Sequence, residues 1–214
     1  MSSAPPYHSR RAVLVGLAAL AAQPAGAAGK APVITILGDS ITAGYGLGAA
    51  DALPAQLQRA LAQLGIGATV RGAGVSGDTT AGGLGRLDFS VQADTALCIV
   101  ALGGNDLLQG LDPRGTRANL DAIVRRLKAR RIKVVLCGLD APRRLNAGFA
   151  RAFNAVFRAV ARAEGVALYP NLLAGVELTR GLNQGDGIHP NPRGVKVIAA
   201  RLAPVVARAL RGRA

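Results

Sequence analysis

The chain has 214 residues, half of them apolar and only 3% aromatic, with a formal net charge of +14. That length suits a single domain with a substantial aliphatic core. Few aromatic rings are available to stack on bases and the basic residues are scattered, which argues against a nucleic-acid partner despite the charge, and no metal-ligand spacing of Cys, His or carboxylates occurs.

The N-terminus reads as a targeting segment. Ser9-Arg10-Arg11 is a basic start, residues 12–22 form a short apolar run, and Ala25-Gly26-Ala27 offers small residues for cleavage. This is the pattern of a secretory signal over residues 1–27, followed by a mature domain over 28–214. The Arg-Arg pair fits twin-arginine export and ordinary export equally. The apolar run is shorter than the ~20 residues that span a bilayer. A periplasmic or secreted protein without stable membrane insertion is therefore expected, and we expect a monomer.

Beyond the signal the pattern alternates. Short apolar runs at 33–37, 68–71, 96–102, 132–136 and 166–169 read as strands. Between and after them, 52–64, 116–130, 149–163 and 195–210 carry apolar residues at helical spacing, such as Leu53, Leu57, Leu61 and Leu64 in the first. Strands alternating with helices predict a parallel sheet covered on both faces. The expected fold is α/β, a flavodoxin-like three-layer α/β/α sandwich on a five-stranded parallel sheet. The basic cluster Arg125-Arg126, Lys128, Arg130-Arg131 and Lys133 is expected to be a solvated helix face. Cys98 and Cys137 lie inside two of the strand-like runs and are expected to be buried free thiols, because two internal strand positions rarely approach well enough to bridge.

In such sheets chemistry gathers beyond the carboxyl ends of the strands. The first strand runs into Gly38-Asp39-Ser40. The second runs into Gly72-Ala73-Gly74-Val75-Ser76-Gly77-Asp78-Thr79-Thr80, and the third into Gly103-Gly104-Asn105-Asp106. After the fifth and a loop comes Asp186-Gly187-Ile188-His189-Pro190. The chain has two histidines, and His8 leaves with the signal, so His189 is the sole histidine of the mature protein. Asp186 stands three residues before it, at a spacing that lets a carboxylate fix the tautomer of the imidazole. A nucleophilic Ser40 needs a base, and His189 is the only good candidate. Glycine N–H groups near Ser40 and the side-chain amide of Asn105 are suited to an oxyanion hole.

These four motifs, in this order, resemble the SGNH hydrolases, also called the GDSL esterase/lipase family, and most of all their bacterial secreted thioesterase, arylesterase and lysophospholipase branch. The resemblance spans almost the whole mature chain. It implies that Ser40 is the nucleophile, that His189 is the base and then the acid, and that Asp186 orients His189. It implies that the N–H of Ser40, the N–H of Gly77 and the amide of Asn105 hold the oxyanion, and that Asp39 braces the turn rather than reacting. The loop after Asn105 matches the family's substrate-side loop, so Leu107, Leu108 and Leu111 become candidate substrate contacts, with packing of the helix end as the alternative.

The implied reaction is hydrolysis of a small-molecule ester or thioester through an acyl-serine intermediate, with no cofactor and no metal. An acyltransferase or a non-catalytic binding module on the same scaffold is the alternative. Gly72-Ala73-Gly74 departs from the Asn-Ala-Ser or Asn-Ala-Gly usual at this point of the family. Gly72 to Gly77 also fits a dinucleotide-binding G-x-G-x-x-G, but the acidic residue expected after the next strand is missing. The nucleophile elbow G-x-S-x-G is absent, since Asp78 stands where its last glycine would be. Gly44, Gly46 and Gly48 suggest an open entrance beside Ser40.

Overall fold

A computed structural model describes residues 1–2, 31–142 and 145–212. The signal segment expected over residues 1–27 therefore lies outside the described residues, save for Met1 and Ser2. Five strands form one parallel sheet in the order β2-β1-β3-β4-β5: β1 (Val33–Gly38), β2 (Thr69–Gly74), β3 (Thr95–Ala101), β4 (Lys133–Cys137) and β5 (Ala167–Tyr169). The three central strands are apolar on both faces, as a sheet covered on both sides requires. Ile34, Ile36 and Leu37 of β1 are fully buried, each worth roughly 1.5–3 kcal/mol of burial. The edge strands β2 and β5 are only partly buried.

Eight α-helices among the described residues connect and cover the strands: α1 (Ser40–Ala43), α2 (Leu53–Gln63), α3 (Thr80–Gly85), α4 (Leu87–Ser90), α5 (Gly104–Leu108), α6 (Pro113–Ala129), α7 (Ala147–Glu164) and α8 (Pro192–Leu210). The long ones start at local signals. Asp112, Asn146 and Asn191 each accept N–H groups of the first turn, and Pro113 and Pro192 follow two of these caps. Helices α2 and α8 pack on each other, and α6 packs on α7 and on α3. With right-handed crossovers from this strand order, the two groups form layers on opposite faces of the sheet. The expected three-layer fold is the observed one. The strand order reverses between β1 and β3, so a crevice opens at their carboxyl ends.

Cys98 and Cys137 are free and buried on neighbouring strands, and burial pushes the Cys98 thiol up to about 12 and the Cys137 thiol higher still. The basic cluster on and just after α6 is largely a solvated face, and two carboxylates offset part of its charge. Arg125 and Lys128 pair with Glu164, and Arg126 and Arg130 pair with Asp88.

Candidate active site

Ser40 stands at the switch point, two residues beyond the end of β1. The buried Asp39 caps α1: its Oδ1 accepts the N–H of Ile41 at 3.0 Å. This leaves Ser40 as the first residue of α1, where its own N–H has no partner within the helix. Asp39 is 5% exposed, and burial pushes its carboxyl up to about 6, against the smaller opposing pull of the N–H of Ile41, its own N–H and the nearby His189. Its place as a brace of the turn agrees with the expectation.

The loop between β5 and α8 brings His189 to Ser40 across 149 positions of sequence. Asn183 and Pro190 form an antiparallel bridge, and Gln184 N–H donates to the His189 carbonyl at 2.8 Å, so the loop folds back on itself. Asp186 sits at its tip. Its Oδ1 accepts the N–H groups of Ile188 and His189 at 2.9 and 3.0 Å, and its Oδ2 lies 2.6 Å from His189 Nδ1. The His189 side chain first, and then these N–H groups, hold the Asp186 carboxyl at about 2. An ionised Oδ2 accepts only, so Nδ1 carries its proton and donates. In the neutral imidazole Nε2 is then bare, faces Ser40 Oγ at 2.9 Å and accepts the serine O–H. The Tyr45 ring lies over the imidazole with centroids 4.7 Å apart.

Gly77 and Asn105 follow β2 and β3, the two strands that flank β1. Gly77 has φ +85, a conformation that favours glycine, in an exposed turn after β2. Asn105 lies in the first turn of α5, whose cap Gly103 has φ +117 and leaves room for Phe157 beneath it: a Cβ there would stand 3.0 Å from Phe157 Cζ. The Asn105 amide donates to the Asp78 carbonyl at 2.8 Å, which uses one of its two N–H donors. Asp106, next in the chain, is buried and accepts from Thr80 N–H, Thr80 Oγ and Thr116 Oγ at 2.8, 2.5 and 3.1 Å.

The three candidate leucines separate. Leu107 is half-buried against the core, whereas Leu108 and Leu111 are exposed. Tyr45, Val75 and Ile188 are also exposed apolar residues, each within five residues of Ser40, Gly77 or His189. The open entrance suggested by three glycines is corrected at two of them. Gly44 ends α1 with φ +77 against Ala52, and Gly46, at φ +72, makes room for Gln184, whose Nε2 donates to the Tyr45 carbonyl at 2.8 Å. Only Gly48 faces open space. The departure at Gly72-Ala73-Gly74 also has a packing reason. A Cβ at 72 would meet Pro54 Cγ at 2.8 Å, and one at 74 would meet the α1 backbone. Sequence reasoning missed Gln184, which ties the His189 loop to the loop after Ser40, and Arg86, which reaches Gly38, Ala73 and Asp78. Neither stands in a motif that marks it.

Known proteins repeat this arrangement of sequence and fold. Residues 36–197 match the model of the GDSL-like lipase/acylhydrolase family. The chain is 38% identical to esterase TesA of Pseudomonas aeruginosa over 181 residues, which is 82% of this chain and 90% of that protein. It is 35% identical to thioesterase 1/protease 1/lysophospholipase L1 of Escherichia coli over 165 residues, covering 77% of this chain and 78% of that one. The crystal structure of AlinE4, an SGNH-hydrolase family esterase, superposes with a TM-score of 0.71 at 42% identity, over 85% of this chain and 97% of that one. Family model, relatives and fold agree with the four motifs around Ser40: the chain belongs to the GDSL-like lipase/acylhydrolase family of SGNH hydrolases and is an enzyme acting on ester bonds.

Proposed function

We propose that Ser40, His189 and Asp186 form the catalytic triad of an esterase acting on small carboxylic esters or thioesters. The observation that carries this reading is the continuous relay from Ser40 Oγ to His189 Nε2 at 2.9 Å and from Nδ1 to Asp186 at 2.6 Å. His189 takes the proton of Ser40 as its oxygen attacks the carbonyl carbon, and Asp186 balances the imidazolium. The N–H groups of Ser40 and Gly77 and the second proton of the Asn105 amide take up the charge on the carbonyl oxygen; loss of one such donor typically costs about 100-fold or more in rate. His189 then protonates the leaving alcohol or thiol. Water, deprotonated by the same imidazole, attacks the acyl-serine and releases the acid.

The acyl or aryl group of the substrate rests on the apolar side chains around the crevice, Leu108, Leu111, Tyr45, Val75 and Ile188, while Leu107 supports the loop from below. The family relatives include an esterase and a thioesterase/lysophospholipase, and this exposed rim suits an uncharged chain or ring better than a sugar or a phosphate. Residues 1–27 direct export to the periplasm or beyond, on the strength of Ser9-Arg10-Arg11 followed by the apolar run. No helix among the described residues is long and apolar enough to cross a membrane, and the mature domain works as a monomer.

The test is hydrolysis of p-nitrophenyl esters from acetate to palmitate by the mature protein and by its Ser40→Ala variant. Turnover by the first and none by a folded second is expected, and equal turnover by both would remove Ser40 from the mechanism. The chain-length optimum assigns the acyl group.

A further inference from the structure

We infer that Arg86 is a positioning residue for the oxyanion hole, a bracket that fixes the Gly77 turn against Ser40 and, through Asp78, aims the Asn105 amide. The inference rests on the roles proposed above for Ser40, Gly77 and Asn105.

Arg86 lies at the junction of α3 and α4, and its side chain is mostly buried. Its guanidinium spends four of its five donors on four separate points. Nη2 donates to the Gly38 carbonyl at 2.8 Å, two residues before Ser40. Nη1 donates to the Ala73 carbonyl and to Ser90 Oγ, both at 2.9 Å. Nε donates to Asp78 Oδ2 at 2.6 Å, next to Gly77. One rigid planar group thus spans the ends of β1 and β2 and the turn that follows β2. A lysine could not, because a single ammonium on a flexible stem has neither the fork nor the reach.

The Gly77 turn needs such a bracket. Nothing stands within 4 Å of where a Cβ on Gly77 would point, so packing on that side does not hold it. Its polar tethers do. Asp78 is gripped at its carboxylate by Arg86 and at its carbonyl by Asn105 Nδ2, at 2.8 Å. The carboxylate passes so close to Gly82 that a Cβ there would stand 2.5 Å from Asp78 Oδ1. On the far side the Asp106 carboxylate ties the start of α3 to α5 through Thr80. Two of the proposed oxyanion donors, the Gly77 N–H and the Asn105 amide, therefore flank one residue whose side chain Arg86 fixes. The same arginine fixes the strand end that presents the third, the N–H of Ser40.

The test compares Arg86→Met and Arg86→Lys in the unchanged background and in Asn105→Ala, with p-nitrophenyl butyrate as substrate and thermal melting in parallel. Arg86→Met is expected to lower kcat about 10- to 100-fold with KM within about threefold, because the donors act on the transition state. In the Asn105→Ala background the same substitution should cost clearly less, since one donor it aims is already gone. Arg86→Lys should remain slow. A wild-type kcat in folded Arg86→Met or Arg86→Lys, or losses that multiply fully in the double variant, would overturn the inference and leave Arg86 a stability residue only. If Arg86→Met does not fold, Asp78→Asn keeps the backbone carbonyl that holds Asn105 and removes the ion pair; it too should lose kcat, and a wild-type kcat would count against the bracket. The donors can also be followed without turnover. The NMR signals of the Gly77 N–H and the Asn105 side-chain amide should move in Arg86→Lys, and unmoved signals would overturn the bracket even if Ser40→Ala showed that the nucleophile lies elsewhere.

Discussion

Gly74 lies against the backbone of α1, and in this chain its substitution by alanine is expected to slow the enzyme through geometry alone. Gly74 ends β2, in register with Gly38 of β1. A Cβ on it would lie 2.3 Å from the nitrogen of Ala43, 2.7 Å from the carbonyl oxygen of Asp39 and 2.8 Å from the carbonyl carbon of Thr42. All three are backbone atoms of α1 or its cap, so no side chain can swing aside. Ordinary contact begins at 3.4 Å, so the two segments must part by about 1 Å. The helix that moves starts at Ser40, and a misplacement of about 1 Å at a reacting group costs on the order of 100-fold in rate. Overpacking of this kind also costs about 1–3 kcal/mol of stability. The assay is kcat/KM on p-nitrophenyl acetate well below the melting temperature, with urea unfolding alongside. Gly67→Ala is the control, because nothing lies within 4 Å of a Cβ there. A folded Gly74→Ala variant with kcat/KM within threefold of the unsubstituted enzyme would refute the reasoning.

Two further expectations concern pH. Burial raises the Asp39 carboxyl from its ordinary 3.8 to about 6, so the folded state binds more protons than the unfolded state between those values. Stability should therefore fall as pH rises through that window, by about 3 kcal/mol at full ionisation. Asp39→Asn keeps an acceptor for the Ile41 N–H and should lose this dependence; parallel urea midpoints for both proteins at pH 4.5 and 7.5 would contradict it. Asp186, held at about 2, stays ionised across the working range. It should therefore add no proton of its own to any loss of activity on acidification above pH 4, and a limiting slope of two in the logarithm of kcat/KM there would mean that Asp186 titrates.

Much of this was legible in the sequence because the long elements carry clear periods. The five strands and the four long helices were legible to within about three residues, the widest gaps among the helices being at the starts of α6 and α8, each three residues before the periodic stretch. There the starts are set by Asp112-Pro113 and Asn191-Pro192, caps rather than period. The helices α1, α3, α4 and α5 have four to six residues, too few for a hydrophobic period to show. The candidate site motifs were legible because three follow strand ends directly and the fourth lies in the loop after β5, so the topology draws them toward one edge. Arg86 and Gln184 were not legible. The contacts that tie them to the Ser40 segment lie 48 and 139 positions away, and nothing local in an Arg or a Gln records such a contact. The glycines beside Ser40 misled for the same reason: Gly46 is filled by a distant Gln184 that only the folded chain brings there.

The most direct test of the central claim is to locate the covalent adduct. The mature protein is treated with a fluorophosphonate, digested and mapped by mass spectrometry, beside its His189→Ala variant. The account expects one adduct, on Ser40, and next to none when His189 is missing. An adduct on another residue, or labelling of Ser40 that proceeds equally fast without His189, would contradict it.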